Sequence, residues 1–219
     1  MNVQTTETQI KIGQIRLDAD LVVPPDAEGL VVFAHGSGSS RHSPRNRAVA
    51  AVFNERHLAT LLVDLLTAEE EQVDLQTAEL RFDIGLLADR LVNIVDWLGD
   101  SRATPPLPIG LFGASTGGAA ALVAAAAARD HIRAVVSRGG RPDLAGPALA
   151  DVRAPVLLLV GELDHEVVEL NRQAAKMLCA GTELRIIPEA THLFEEPGAL
   201  EQVADEAATW FHDHLTVPA

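Results

Sequence analysis

Near the start of the chain, apolar and polar positions take turns. Between residues 8 and 23, Ile10, Ile12, Leu17, Ala19 and Leu21 fall largely on alternate positions around Gly13-Gln14. That two-residue period is the mark of a strand pair, so a β-hairpin is expected, closed by Pro24-Pro25. Short β-branched runs follow at 30–34, 59–63, 108–112, 132–137, 155–160 and 183–187, separated by longer helical patterns. Strands and helices in alternation imply a mostly parallel sheet with helices on both faces, the α/β class.

The helical patterns have readable ends and faces. Ser43-Pro44 suits a cap followed by the first helical position, and that helix should run to about Arg56. In the segment 83–98, Leu87, Leu91, Ile94, Val95 and Leu98 share one face, as do Leu200, Val203, Ala207, Trp210 and Phe211 near the end of the chain. After Gly113 the residues are small on every side, as expected of a helix wedged against the sheet. Residues 67–77, with Glu69-Glu70-Glu71, show no apolar stripe and read as the longest solvated loop.

Composition narrows the picture. At 219 residues and 47% hydrophobic, the chain can build one large core, and no linker or repeat divides it, so residues 1–219 are expected to form a single domain. A net charge of −14 repels phosphate backbones and anionic lipid, which excludes nucleic-acid and polybasic membrane roles. The one cysteine, Cys179, reads as packing at a helix end rather than a nucleophile. The stretch from Met1 to Glu7 is polar, and no run reaches the roughly 18 apolar residues of a spanning helix. A cytoplasmic location is the resulting expectation.

The chemistry concentrates after strands. Gly113-Ala114-Ser115-Thr116-Gly117 is a Gly-x-Ser-x-Gly sequence between an expected strand and an expected helix. A tight strand-to-helix turn strains the serine backbone and leaves room only for small residues on either side. It also sets Ser115 at a helix N-terminus, where the Thr116 N–H can stabilise an oxyanion. A second glycine-rich turn, His35-Gly36-Ser37-Gly38-Ser39-Ser40, follows the strand at 30–34 on the same expected edge. Its Ser37 N–H is the second candidate oxyanion donor, Gly36 and Gly38 are candidate substrate contacts, and His35 reads as a brace for the loop.

A serine hydroxyl needs a base, and an imidazole base needs a carboxylate to hold its tautomer. Asp164 follows the strand at 155–160 and His192 follows the strand at 183–187. Serine, acid and histidine in that order, each past a strand's carboxyl end, match the Gly-x-Ser-x-Gly hydrolase arrangement. Asp164 could instead cap the next helix, with Glu162 as the alternative acid. Arg138 and Arg141 are candidate cleft residues for a substrate carboxylate. His212 and His214, two apart on a helix, point to different faces, and no metal site is expected. Neither a nucleotide phosphate loop nor a dinucleotide fingerprint is present in the sequence, and no cofactor is expected.

With the hairpin, the His35-Gly36 turn, the Ser115 elbow, Asp164 and His192 in place, the chain resembles an α/β-hydrolase of the dienelactone-hydrolase-like branch over roughly residues 10–215. The resemblance implies an eight-stranded mostly parallel sheet with one antiparallel strand near the start. It also implies Ser115 as nucleophile, His192 as base and Asp164 as its partner. One position departs, since dienelactone hydrolases use cysteine as nucleophile where this chain has Ser115. Similar chains occur fused to phosphoribosyltransferase-like domains, which implies a partner of that kind. The expected activity is hydrolysis of small carboxylic esters, with thioester hydrolysis, acyl transfer or a non-catalytic interaction domain as alternatives. About 18 residues between the strands at 132–137 and 155–160 leave no room for a substantial lid.

Overall fold

The computed structural model describes residues 4–100 and 104–216. The expected hairpin is present as β1 (Thr6–Ile12) and β2 (Ile15–Val22), and Gly13 turns it with φ of 59°. The part of the polar N-terminus at residues 1–3 lies outside the described residues. The remaining strands are β3 (Gly29–Ala34), β4 (Leu58–Val63), β5 (Ile109–Ala114), β6 (Ile132–Arg138), β7 (Val156–Gly161) and β8 (Thr182–Ile187). They form one eight-stranded sheet in the order β1-β2-β4-β3-β5-β6-β7-β8. β2 runs against both neighbours, while β3 through β8 are mutually parallel.

The prolines at 108 and 155 stand just outside the strands. Neither has an N–H for a ladder, but Pro108 O accepts from Leu30 N (2.9 Å) and Pro155 O from Val135 N (3.0 Å). β3, β4 and β7 are buried along their whole length, as parallel strands covered on both faces must be.

Helices α3 (Ile84–Asp100) and α4 (Thr116–Ala127) pack on one face of the sheet, α1 (Pro44–Glu55) and α6 (Ala199–Leu215) on the other. On the α1/α6 side Phe33, Phe53, Phe112 and Phe211 interlock, with Phe33 and Phe112 at 4.9 Å and Phe53 edge-on to Phe211 at 5.5 Å. Removing any one of these rings should cost about 3–5 kcal/mol. The cluster anchors the two strands, β3 and β5, whose ends carry the glycine loop and Ser115. α1 begins where expected, with Ser43 Oγ accepting from Asn46 N, and α4 is buried on nearly every side.

Two expectations are corrected. Residues 67–77 form a helix rather than a loop: α2 (Ala68–Thr77) starts at a reciprocal capping box between Thr67 and Glu70. The acidic first turn suits the helix dipole, but only Asp74 is buried, so no apolar stripe announces the helix. Cys179 lies two residues beyond the end of α5 (His165–Met177) and is exposed, because the helix stops before its side chain reaches the core. The connection from β6 to β7 holds only 3-10 turns at Pro142–Asp151, so no substantial lid is present. No helix among the described residues is long and apolar enough to cross a membrane.

Candidate active site

β5 delivers Ser115 to the carboxyl edge of the sheet at φ 51° and ψ −121°. A non-glycine residue at positive φ stores of the order of 1–3 kcal/mol of strain and persists only when its surroundings hold it there. They do so by close approach. A Cβ on Gly113 would lie 2.5 Å from Gly118 Cα, and one on Gly117 would strike Ala34 O and come within 2.6 Å of His35 O. Backbone bonds complete the clamp: Ser115 N donates to Arg138 O (3.1 Å), while Ser115 O accepts from Gly118 N (3.0 Å) and Arg141 N (3.2 Å). Although Ser115 occupies the capping position of α4, its side chain makes no capping bond, so the hydroxyl is left for chemistry.

Asp164 and His192 meet directly, with Asp164 Oδ2 2.6 Å from His192 Nδ1. The aspartate stands at the N-cap of α5 but makes no side-chain cap bond; its carboxylate is turned to the histidine instead. Accepting from Nδ1–H fixes the tautomer that leaves Nε2 as the base. Glu162, the alternative acid, is used elsewhere, its Oε2 accepting from Glu189 N at 2.9 Å. The histidine loop is pinned by Glu196, which accepts from Thr191 N (3.1 Å) and Thr191 Oγ1 (2.6 Å). The Thr191 hydroxyl bond, followed by backbone N–H donors, holds the Glu196 carboxyl below its ordinary range.

Ser115 and His192 are linked through β6. Arg138 O receives the Ser115 N–H, and a Cβ on the next residue, Gly139, would sit 3.2 Å from His192 O and 3.6 Å from His192 Cε1. No hydrogen bond joins Ser115 Oγ to His192 among the described residues; such contacts characteristically tighten when substrate binds.

The two expected oxyanion residues are tied to each other: Ser37 N donates to Thr116 Oγ1 at 3.0 Å. The Ser37 N–H is therefore engaged by a side chain, and the free backbone donor of the pair is the Thr116 N–H at the start of α4. The staple joins the β3–α1 and β5–α4 loops. Gly36 lies so near Ser115 that a Cβ there would be 3.2 Å from Ser115 Cβ. His35 accepts from Leu65 N on Nε2 (3.2 Å), so Nδ1 carries the proton and donates to Gly36 O (3.0 Å), the bracing role expected for it. Gly36, Ser37 and Gly38, with Leu66, Leu75 and Arg81, line a cavity of about 230 Å³ that adjoins Ser115 through Gly36 rather than containing it.

The two arginines part company. Arg141 forms a bidentate pair with Asp143 (2.9 and 2.8 Å), and that bond first of all raises its pKa. Among the described residues, Arg138 is buried without such a partner. Sequence reading missed Asn171, fully buried, whose Nδ2 donates to Gly140 O (3.0 Å) and Val167 O (2.8 Å) and ties the β6 loop to α5. It also missed Glu196 and the role of the Thr116 hydroxyl, since Asn171 and Glu196 belong to no local motif and the Thr116 hydroxyl meets a partner far away in the sequence. Among the described residues no group of three or more His, Cys, Asp and Glu is placed to hold a metal.

Comparison with known proteins agrees with this architecture. Residues 25–215 match the model of the dienelactone hydrolase family. A crystal structure of a dienelactone hydrolase from Anabaena variabilis is 55% identical, with a TM-score of 0.96 covering 98% of this chain and 100% of that one. Est1E from Butyrivibrio proteoclasticus shares the fold at 20% identity and a TM-score of 0.77, covering 94% of this chain and 98% of its own. Two curated proteins of Mycobacterium tuberculosis, provisionally named phosphoribosyl transferases, are 55% identical over 97% of this chain. The chain spans about half the length of these curated relatives, 47% of each.

Proposed function

The chain belongs to the dienelactone hydrolase family, and from that premise we propose that it is a serine hydrolase cleaving small carboxylic esters. Ser115 attacks the carbonyl while His192 Nε2 takes its proton. The tetrahedral oxyanion forms against the Thr116 N–H and the N-terminus of α4. The alcohol leaves with the proton from His192, and a water activated by the same imidazole then hydrolyses the acyl-enzyme. Asp164 holds the tautomer and offsets the imidazolium charge. The observation that carries this reading is the strained Ser115 backbone, held at φ 51° beside an Asp164–His192 pair at 2.6 Å.

Hydrolysis is favoured over acyl transfer because the His192 side chain is 39% exposed, so water reaches the acyl-enzyme. The second oxyanion donor is the Ser37 N–H once the Thr116 hydroxyl yields it. A phosphoribosyltransferase-like polypeptide is the proposed partner, supported by the greater length and the name of the curated relatives. A cytoplasmic location is part of the same reading.

The test is incubation of the wild type and Ser115→Ala with a fluorophosphonate and with p-nitrophenyl esters of graded acyl length. One label per chain, absent in Ser115→Ala together with turnover, is expected. A folded wild type that neither labels nor turns over any ester would end the proposal in favour of a non-catalytic domain.

A further inference from the structure

α5 buries Val167, Val168, Asn171 and Ala174, a stripe that is apolar except for Asn171. No part of Asn171 is exposed, and its Nδ2 faces two carbonyls, Gly140 O at 3.0 Å and Val167 O at 2.8 Å. Only the amide nitrogen can serve two acceptors, so both of its hydrogens are spent there. Among the described residues its Oδ1 is sealed with no hydrogen-bond partner. A leucine would fill the position without leaving a buried acceptor unpaired, so packing alone does not account for an amide.

Asn171 holds one end of a chain of peptide units. Gly140 O and the Arg141 N–H belong to a single planar amide, and that N–H donates to Ser115 O at 3.2 Å. Ser115 O and the Thr116 N–H belong to the next amide, and the Thr116 N–H is the free donor at the start of α4. The bonds therefore run from Asn171 Nδ2 through Gly140–Arg141 and Ser115–Thr116 to the place where the oxyanion would form. Hydrogen bonds in series polarise one another, so a bond on a carbonyl makes the N–H of the same amide a stronger donor. Packing leaves the chain no slack: a Cβ on Gly140 would strike Ser137 Oγ, and one on Gly118 would lie 3.2 Å from Gly140 Cα. Gly139 N donates to Leu159 O at 2.7 Å and fixes the loop from its other side. The same helix carries the acid, since Asp164 is its N-cap, two turns before Asn171.

We propose that Asn171 is a positioning residue for the oxyanion site: it aims and polarises the Thr116 N–H through the two intervening amides, and ties that donor to the helix that carries Asp164. That role rests on the serine-ester reading above. Asn171 touches no substrate in it, so its removal should slow the step in which charge builds on the oxyanion and leave ground-state binding alone.

The experiment compares Asn171→Leu and Asn171→Ala with Leu178→Ala, which opens the core at the far end of α5 without touching any of these bonds. With p-nitrophenyl butyrate, kcat should fall about tenfold in both Asn171 variants while KM stays within about twofold, short of the roughly 10²- to 10³-fold loss for an oxyanion donor removed outright. Affinity for a trifluoromethyl ketone, which forms a tetrahedral oxyanion adduct on serine, should fall in step with kcat/KM. Leu178→Ala should lose thermal stability and retain kcat. The Arg141 and Thr116 amide protons of the free protein, followed by proton–nitrogen NMR correlation, give a readout that needs no substrate. Both should move upfield in the Asn171 variants and stay in place in Leu178→Ala. Those shifts support the relay even if the wild type turns over no ester, an outcome that would end the serine-ester reading instead. Amide positions equal to wild type in a folded Asn171 variant, or a kcat that falls no further than in Leu178→Ala, overturn the relay and leave Asn171 as a packing residue.

Discussion

The carboxyl edge of the sheet is built in two manners. Around Ser115 everything is close-packed: α4 is buried nearly all round, backbone meets backbone at Gly113 and Gly117, and three main-chain hydrogen bonds fix the serine. Across the edge, α2 and the turn at Leu80–Phe82 lie on the molecule with little burial, leaving Val73, Leu75 and Phe82 exposed at 55%, 66% and 55%. Buried polar pairing, not apolar packing, holds them: Arg81 donates to Asp74, and Arg90 to Glu70. The proposed nucleophile thus sits where geometry is over-determined. The wall of the cavity beside Gly36, which includes Leu75, sits where the fold has least at stake.

Substitutions on the two sides should therefore differ in kind. The largest effect is expected from Asp164→Asn, which preserves shape but frees the imidazole to adopt the wrong tautomer. Esterase kcat should drop about 10³- to 10⁴-fold with Tm nearly unchanged. A residual rate within tenfold of wild type would mean that the 2.6 Å pair is not catalytic. Next comes Gly117→Ala, whose Cβ has no space beside Ala34 O and His35 O. Urea unfolding should register about 3 kcal/mol of lost stability or an unfolded chain.

On the thin side, Thr67→Ala removes the α2 cap and should cost about 1 kcal/mol. Leu75→Ser should stay within about 0.5 kcal/mol of wild type while shifting the preference for acyl length, read from KM across the ester series. If Leu75→Ser instead unfolds the protein, α2 is part of the core and the contrast fails.

The smallest effect is a matter of pH. Glu196 is held below its ordinary range by Thr191, so its anchoring is fully present above the unfolded value of about 4.3 and disappears as pH falls through the lower folded value. Glu196→Gln should flatten the part of the Tm decline that wild type shows on acidification through this window. Identical Tm-against-pH curves would assign the loop's stability elsewhere.

Much of the fold was legible because its signals are local. Alternation gave β1 and β2, Ser43-Pro44 marked the start of α1, and the run of small residues marked α4. The candidate triad residues could be named because each follows a strand, and parallel strands deliver their loops to one edge. α2 escaped because a helix held by a capping box and a buried aspartate has no apolar period to detect. Arg138 could be named only as a candidate cleft residue, because nothing near it in sequence announces that its side chain is buried against Phe194 under the His192 loop. The Ser37–Thr116 staple joins residues 79 apart, beyond the reach of any periodicity.

By itself, then, the amino-acid order determined the alternation of strands and helices, the elbow at Ser115, and the candidate acid and base. These follow from backbone sterics and the burial of apolar faces, which act over a few residues. Only the tertiary structure decided that Asp164 turns to His192 rather than capping α5, that Arg141 is neutralised by Asp143 while Arg138 is left unpaired, and that Thr116 holds the Ser37 N–H. Those outcomes depend on which polar atoms meet after the chain has closed, and hydrogen-bond and charge energies fall off within a few ångströms. They are settled by the last fraction of the packing.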